Sequence, residues 1–297
     1  MSVSGREPAL LVHCVQKLRG GSQPVLAAAN DGQLYVVKFT NNLQGPNLAF
    51  NESMGTELYR ICGLPVPSWR AILVTASFID QNPGCWIETA EGKLRPKEGV
   101  CFGSQFLCTE DSRLLEILPG KSFNRVCNRN DFWLAWLLDV CADHSDNRQA
   151  IFRQDRDGIL DAFFIDHGHM FGGPRGDHRV HFRVPRYLDA RVYPDVSSKL
   201  ITSLRRSVAS VDADLLWECA RALPDDWKTA SALDKFVETL ETLSSPRLIE
   251  GAIEKMLDSH RRMSGIEIND LQCGGSAKGS VLCPGIQAAG QRRPLVH

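Results

Sequence analysis

The chain has 297 residues, of which 43% are hydrophobic and 23% charged, and its formal net charge is −1. This composition is typical of a globular protein with a sizeable core, and the near-zero charge excludes a surface that attracts nucleic acid or membranes as a whole. No run approaches the ~20 apolar residues of a membrane span. Residues 1–7 lack the apolar core of a signal peptide, so we expect a cytoplasmic protein with no nucleic-acid or membrane partner.

Ten cysteines are spread along the chain without any Cys-x-x-Cys pair. A structural zinc site needs four ligands, usually at short paired spacings, which are absent. Most of the cysteines sit inside apolar runs, so they are predicted to be buried free thiols.

The first third of the chain alternates between strand-like and helical patterns. Residues 9–38 contain short apolar runs, and the Asn30-Asp31-Gly32 turn between two of them indicates a hairpin. A helix is predicted from Asn51 to Arg60, since Cys62-Gly63 and two prolines follow it. Further strands are predicted at 71–75 and 99–107, on either side of a polar insertion.

Helical patterns dominate after residue 112. They are interrupted by a predicted strand pair, Ala150–Phe152 and Ala162–Ile165, around a glycine-containing turn. Residues 265–297 lack periodicity and are predicted to be disordered. The order is therefore a β-rich first part followed by a helical second part, which predicts an α+β fold.

The second part contains an acid at the end of an apolar strand. Two apolar residues precede Asp166, and Gly168 lets the chain turn away from its carboxylate. Upstream, an apolar helix ends in a polar cluster that runs from Asp143 to Gln149. Hard oxygen ligands of this kind bind divalent cations that carry phosphates, so the pattern indicates phosphoryl transfer.

Lys38 ends an apolar strand of the first part. Such a lysine is often a surface residue whose stem lies along apolar neighbours. Here a Gly20-Gly21-Ser22 turn precedes it, whose backbone amides can approach phosphate oxygens, and a helix with Glu52 and Glu57 follows. We expect Glu52, not Glu57, to supply the counter-charge that a buried lysine needs.

Together these residues resemble the HipA-like kinases, over about residues 10–175. In the first part the resemblance is carried by Gly-Gly-Ser-x-Pro, Tyr35–Phe39, Asn51-Glu52 and Gly63–Pro67. It is also carried by Phe102-Gly103-Ser104 and, in the second part, by Asp146–Phe152 and Phe164–Gly168. The Ile-Asp-x-Gly-His segment is also similar to the metal-binding segment of the phosphatidylinositol kinases.

The resemblance implies a two-lobed protein-kinase-like fold with ATP between the lobes. It implies an antiparallel β-rich lobe over 1–105 and a mostly helical lobe over 106–264, followed by the 265–297 tail. The glycine turn (Gly20, Gly21 and Ser22) and Lys38 would contact the nucleotide phosphates, and Glu52 would orient Lys38.

The resemblance also implies that Asp166 binds Mg²⁺ and that the polar cluster supplies the catalytic base and an amide ligand. In the usual kinase pattern the base precedes the metal-binding asparagine by five positions. Here Asp143 precedes Asn147 by four, and Asp146 precedes Gln149 by three. The base is therefore expected to be Asp143 or Asp146, and the amide ligand Asn147 or Gln149.

The implied activity is ATP- and magnesium-dependent phosphoryl transfer to a hydroxyl, with a protein serine or threonine as the family-based acceptor and a small-molecule hydroxyl as another. Two alternatives remain open. One is a metal-dependent phosphohydrolase, in which His144, His167 and His169 join the aspartates around a metal. The other is a catalytically inactive nucleotide-binding module. A hydrolase has no need for Lys38 and Glu52.

Overall fold

The computed structural model of the protein describes residues 7–107, 109, 111–176 and 186–266, with side chains as far as 262. Residues 267–297 lie outside this part, and with them nearly all of the predicted tail. The strands are β1 (Ala9–Lys17), β2 (Val25–Ala29), β3 (Leu34–Lys38), β4 (Trp69–Val74), β5 (Ile87–Thr89), β6 (Gly92–Leu94), β7 (Gly99–Gln105), β8 (Arg113–Leu115), β9 (Gln149–Gln154) and β10 (Leu160–Ile165). The helices are α1 (Leu48–Ile61), α2 (Ala76–Gln81), α3 (Asp131–Cys141), α4 (Ser198–Ala209), α5 (Ala213–Arg221), α6 (Ala230–Ser244) and α7 (Pro246–Ile266).

Five strands of the first part close into a barrel in the order β1-β2-β3-β7-β4. The predicted hairpin is confirmed, because β2 pairs with β3 around a turn in which Gly32 has a φ of 78°. The pairs of this sheet are antiparallel as predicted with one exception, since β1 and β4 pair in parallel, with Ala9 opposite Ile72. Two register irregularities in β1 allow the twist that closure requires, and closure leaves no unpaired edge in this sheet.

Three short strands were not predicted from the sequence. β5 and β6 form a hairpin within the polar insertion, and β8 pairs with β9 to give a second sheet of order β10-β9-β8. Each of the three has only three residues, which is too few for a period-2 pattern to be visible. The predicted β9–β10 pair is present, with Gln149 opposite Ile165.

Helix α1 begins three residues earlier than predicted and ends at the predicted stop, where Gly63 has a φ of 79°. It is buried on all sides from Leu48 to Tyr59, including the polar residues Asn51, Glu52 and Glu57. A helix buried on every face has to satisfy its polar side chains through specific partners. These partners are central to the candidate site.

The apolar side chains form two clusters. One fills the barrel, and a larger one combines α1 with the helices and strands of the second part. Trp133 and Trp136, which helical spacing places in the core, are fully buried and stacked with ring centroids 5.6 Å apart. Because α1 packs into the larger cluster, its position is linked to that of β9 and β10.

The cysteine prediction is confirmed in part. The described cysteines are all free, and Cys85, Cys101, Cys141 and Cys219 are buried. Cys127 is exposed, and its thiol lies 2.8 Å from Asp161 Oδ1. Cys108, Cys273 and Cys283 lie outside the described residues. Among the helices that the structure describes, none has both the length and the apolar character needed to cross a membrane.

Candidate active site

A cleft of about 350 Å³ lies between the barrel and the second part. The barrel contributes the 20–22 glycine turn between β1 and β2, together with Val36 and Lys38 of β3. The opposite wall contains Asp146, Gln149 and Asp166. The cleft therefore brings together charged groups that lie more than a hundred residues apart in the sequence.

Lys38 lies at the base of this cleft with its side chain 10% exposed. Its ammonium forms a short ion pair with Glu52 and donates to Asp166 Oδ1 at 2.6 Å. The predicted Lys38–Glu52 pair is thus present. Glu57 is five positions further along α1, which turns it about 140° around the helix axis. There Glu57 pairs with Arg60 and accepts from Trp69 Nε1 at 2.9 Å.

The three charges shift one another's protonation. Burial opposes the charged form of Lys38, but the carboxylates of Asp166 and Glu52 outweigh it and raise the pKa of the lysine. Burial would raise the pKa of Asp166, yet the adjacent ammonium lowers it overall. The pKa of Glu52 is raised, first by burial and then by the second carboxylate. One cation between two carboxylates leaves a net negative charge, which suits the binding of a further cation.

Asp166 follows β10 directly and has a φ of 61°, an uncommon conformation for a residue other than glycine. Its second oxygen, Oδ2, accepts from the side-chain amide of Gln149 at 2.6 Å. Gln149 is the first residue of β9, opposite Ile165 in the ladder. Pairing of β9 with β10 therefore places the amide beside the carboxylate.

The Asp143–Gln149 cluster is only partly directed into the cleft. Asp146 and Gln149 line it, whereas Asp143 and Asn147 are not among its lining residues. Asp143 has a φ of 46°, and its carbonyl accepts from the Gly172 amide at 3.2 Å. Asn147 donates its backbone amide to Asp146 Oδ1 at 2.7 Å. The residues brought together are thus Gly20, Gly21, Ser22, Lys38, Glu52, Asp146, Gln149 and Asp166.

A buried network around Arg148, for which the sequence allows either Asp146 or Asp139 as partner, holds this cluster in place. Arg148 binds Asp139 of α3 through both carboxylate oxygens, at 2.8 and 2.5 Å, and donates to the Ile165 carbonyl at 2.8 Å. The Tyr59 hydroxyl donates to the same carboxylate at 2.7 Å. Asp139 lies near the end of an otherwise apolar helical stretch, and an acid in such a place signals a buried partner.

Residues 166–170 form a turn and not a strand, so the alternation of His167 and His169 about Gly168 does not place them on one strand face. His167 packs edge-on against Tyr59, with ring centroids 4.6 Å apart. The Nε2 atom of His169 lies 2.9 Å from Gln44 Nε2, and its Nδ1 atom lies 3.0 Å from Ser145 Oγ. The Nδ1 atom of His144 lies 2.6 Å from the Asp146 carbonyl. Within the described part of the chain, no three His, Cys, Asp or Glu residues are grouped to hold a metal, as the hydrolase alternative would require.

Comparison with solved structures identifies the fold. The crystal structure of the proinflammatory kinase CtkA from Helicobacter pylori matches 88% of this chain and 99% of its own, at 12% identity and a TM-score of 0.51. Choline kinase LicA from Streptococcus pneumoniae matches 77% and 92% at 13% identity, but its TM-score of 0.19 is too low to indicate a shared arrangement. No family model and no curated protein matches the chain. The chain thus has a kinase-like α+β fold.

Proposed function

We propose that the protein is an ATP- and magnesium-dependent phosphotransferase of the HipA-like kind, with a hydroxyl group as acceptor. The observation that carries this proposal is Lys38 held between Glu52 and Asp166 at the base of the interlobe cleft. In kinases the equivalent arrangement is a strand lysine, a helix glutamate and a metal-binding aspartate. The kinase-like fold supports the proposal, since it gives this triad a nucleotide cleft.

The cleft is lined by both polar and apolar residues, as a site for a nucleotide requires. Gly20 has a φ of 132°, and its carbonyl accepts from the Gln23 amide at 3.0 Å, so the 20–22 turn is tight, and all three of its residues line the cleft. Beside the triad, this turn would bind phosphates. An apolar region lined by Val36, Phe102 and Ile151 would hold the base.

The residues around Asp166 fit a magnesium ion. The Asp166 carboxylate and the Gln149 amide supply oxygen donors, since a side-chain amide can turn its oxygen toward a metal. Mg²⁺ is usually held by one or two carboxylates together with substrate phosphates, so three protein acids are not needed. When bound, the ion would neutralise charge on the transferred phosphoryl group.

Asp146 is the stronger candidate for the catalytic base. It lines the cleft, and its position is fixed by the His144 ring and by the Asn147 amide. A base has to reach the acceptor hydroxyl, which requires a side chain at the cleft surface. Asp143, whose carbonyl is tied to Gly172, would instead shape the loop.

The finer assignments rest on the resemblance to the HipA-like kinases. We propose a protein serine or threonine as the acceptor, a cytoplasmic location, and a division into lobes at 1–105 and 106–264. A small-molecule hydroxyl would use the same base and metal residues. The departure from the usual spacing in the 143–149 loop makes nucleotide binding without transfer the alternative to be tested.

Titration calorimetry with ATP and Mg²⁺ tests nucleotide binding. The wild-type protein is expected to bind, and Lys38→Met, which keeps the methylene stem and removes the charge, is expected to lose at least about tenfold in affinity. Circular dichroism and thermal unfolding serve as controls for folding. Equal affinity in a folded Lys38→Met variant would show that the lysine does not contact the phosphates.

A further inference from the structure

One side chain of α1 binds three backbone carbonyls of the segment that follows Asp166. The Nδ2 atom of Asn51 lies 3.0 Å from the oxygen of Gly168, 2.7 Å from that of Met170 and 3.1 Å from that of Gly173. Asn51 is fully buried, and its Oδ1 atom has no hydrogen-bond partner. Reversing the amide would set Oδ1 against three carbonyl oxygens, so the donor must face them.

The same two elements touch without room for one additional methyl group. A Cβ atom on Gly55 of α1 would lie 2.6 Å from His167 Cβ and 2.7 Å from Met170 Sδ. A Cβ atom on Gly168 would lie 2.2 Å from Leu48 Cδ1. Both glycines are therefore required for the close approach of α1 to the 167–173 segment.

This contact leads directly to the proposed catalytic charges. Glu52 follows Asn51 in the helix, and its Oε2 atom accepts from the His167 amide at 3.1 Å while Oε1 binds Lys38. Asp166 precedes His167, and its Oδ1 atom binds the same lysine. A shift of α1 relative to the 167–173 segment would thus move Glu52 and Asp166 apart.

We propose that Asn51 is a positioning residue that fixes α1 on the 167–173 segment, and that this keeps Lys38, Glu52 and Asp166 assembled. In protein kinases, the position of the helix that carries the glutamate controls whether the lysine–glutamate pair and the metal-binding aspartate are in place. This inference rests on the proposed phosphotransferase function and concerns the assembly of its catalytic groups.

The test compares Asn51→Asp with Asn47→Ala. Asn51→Asp keeps the shape and sets a carboxylate against the three carbonyls. Asn47 directly precedes α1, one turn before Asn51, and its side chain binds Thr229 at 2.6 Å and Ser231 at 3.1 Å on the α6 side. Asn47→Ala therefore weakens a tether of the same helix without touching the 167–173 segment.

Two readouts are expected to separate the variants. In steady-state transfer from ATP, kcat of Asn51→Asp should fall by roughly tenfold to a hundredfold, as expected for misplaced catalytic groups, while KM for ATP changes by less than about threefold. Asn47→Ala should keep kcat within about twofold. In the protein without nucleotide, hydrogen exchange at the Phe171 and Gly173 amides should be faster in Asn51→Asp than in Asn47→Ala.

The outcomes distinguish this inference from the function on which it rests. No transfer by the wild-type protein would contradict the proposed function itself. If the wild-type protein transfers phosphate, and Asn51→Asp and Asn47→Ala have equal kcat and equal rates of hydrogen exchange, Asn51 does not position the site. Should Asn51→Asp not fold, Asn51→Ser replaces it. Rapid hydrogen exchange at the Phe171 and Gly173 amides of the wild-type protein would overturn the proposal.

Discussion

At the residue scale, two aspartates three positions apart in one loop have different surroundings. Asp146 lines the cleft with its carboxylate at the surface, whereas Asp143 has a left-handed backbone whose carbonyl binds Gly172. Sequence spacing alone does not distinguish them, since neither matches the usual kinase interval. Their positions in the structure make Asp146 the proposed base.

The pair Asp146→Asn and Asp143→Asn tests this assignment. Asp146→Asn is expected to lower phosphoryl transfer by about 10²- to 10⁴-fold, the usual contribution of a general base, with ATP affinity nearly unchanged. Asp143→Asn is expected to retain transfer within about tenfold. Initial rates with labelled ATP and calorimetric affinities measure both. The reverse order of the two rates would make Asp143 the base.

At the element scale, α3 and the residue that leads into β9 are joined by the buried Arg148–Asp139 ion pair, with side chains 1% and 0% exposed. Removal of one partner from such a pair leaves an uncompensated charge in the core. Tyr59 adds a hydrogen bond from α1 to the same carboxylate. Since Arg148 also binds the Ile165 carbonyl, this network ties the loop that carries Asp146 to the end of β10, which Asp166 follows.

Arg148→Met is expected to cost about 3–5 kcal/mol of unfolding free energy. A matched control in β9 is Arg153→Met, which breaks the partly exposed Arg153–Asp161 pair and should cost no more than about 1 kcal/mol. Urea unfolding of both variants measures the difference. Equal losses would mean that the buried pair does not stabilise the junction of α3 and β9.

The sequence predicted the elements with clear periodicity and the charged partners that lie on them. Lys38 and Glu52 follow from a strand and a helix of ordinary length. The three-residue strands and the parallel β1–β4 pair were not predicted. Three residues are too few to show an alternating hydrophobic pattern, and the local sequence does not reveal the direction in which two strands pair. Asn51 was noted only beside Glu52, since three carbonyl partners more than a hundred residues away have no local signature.

At the scale of the whole molecule, three histidines are held near the cleft in their neutral form. Burial lowers the pKa of His144 to about 4 and also lowers the pKa values of His167 and His169. Their ordinary value is about 6.5, so the unfolded chain takes up protons that the folded protein does not. Stability is therefore greatest above pH 6.5 and falls as the pH decreases.

Urea unfolding between pH 7.5 and pH 5 measures this dependence. His144 alone is expected to contribute about 3 kcal/mol to the free energy of unfolding, and this contribution is lost by pH 4. At pH 5 the free energy of unfolding should already decrease with falling pH at nearly its steepest rate. The raised pKa of Glu52 acts in the opposite direction in acid, so the net loss is smaller than the sum of the histidine terms. His144→Gln should show a shallower slope. A stability that increases from pH 7.5 to pH 5 would contradict neutral buried histidines.

Phosphoryl transfer itself is tested most directly with γ-³²P-labelled ATP and Mg²⁺, using the wild-type protein and Asp166→Asn. Label should appear on hydroxyl groups of the protein itself or of added dephosphorylated casein, and Asp166→Asn, which loses a charge at nearly constant shape, should lower it at least about hundredfold. Calorimetric binding of ATP without any transfer would identify a nucleotide-binding module instead. Label released only as inorganic phosphate would identify a hydrolase, and either result would contradict the proposed kinase.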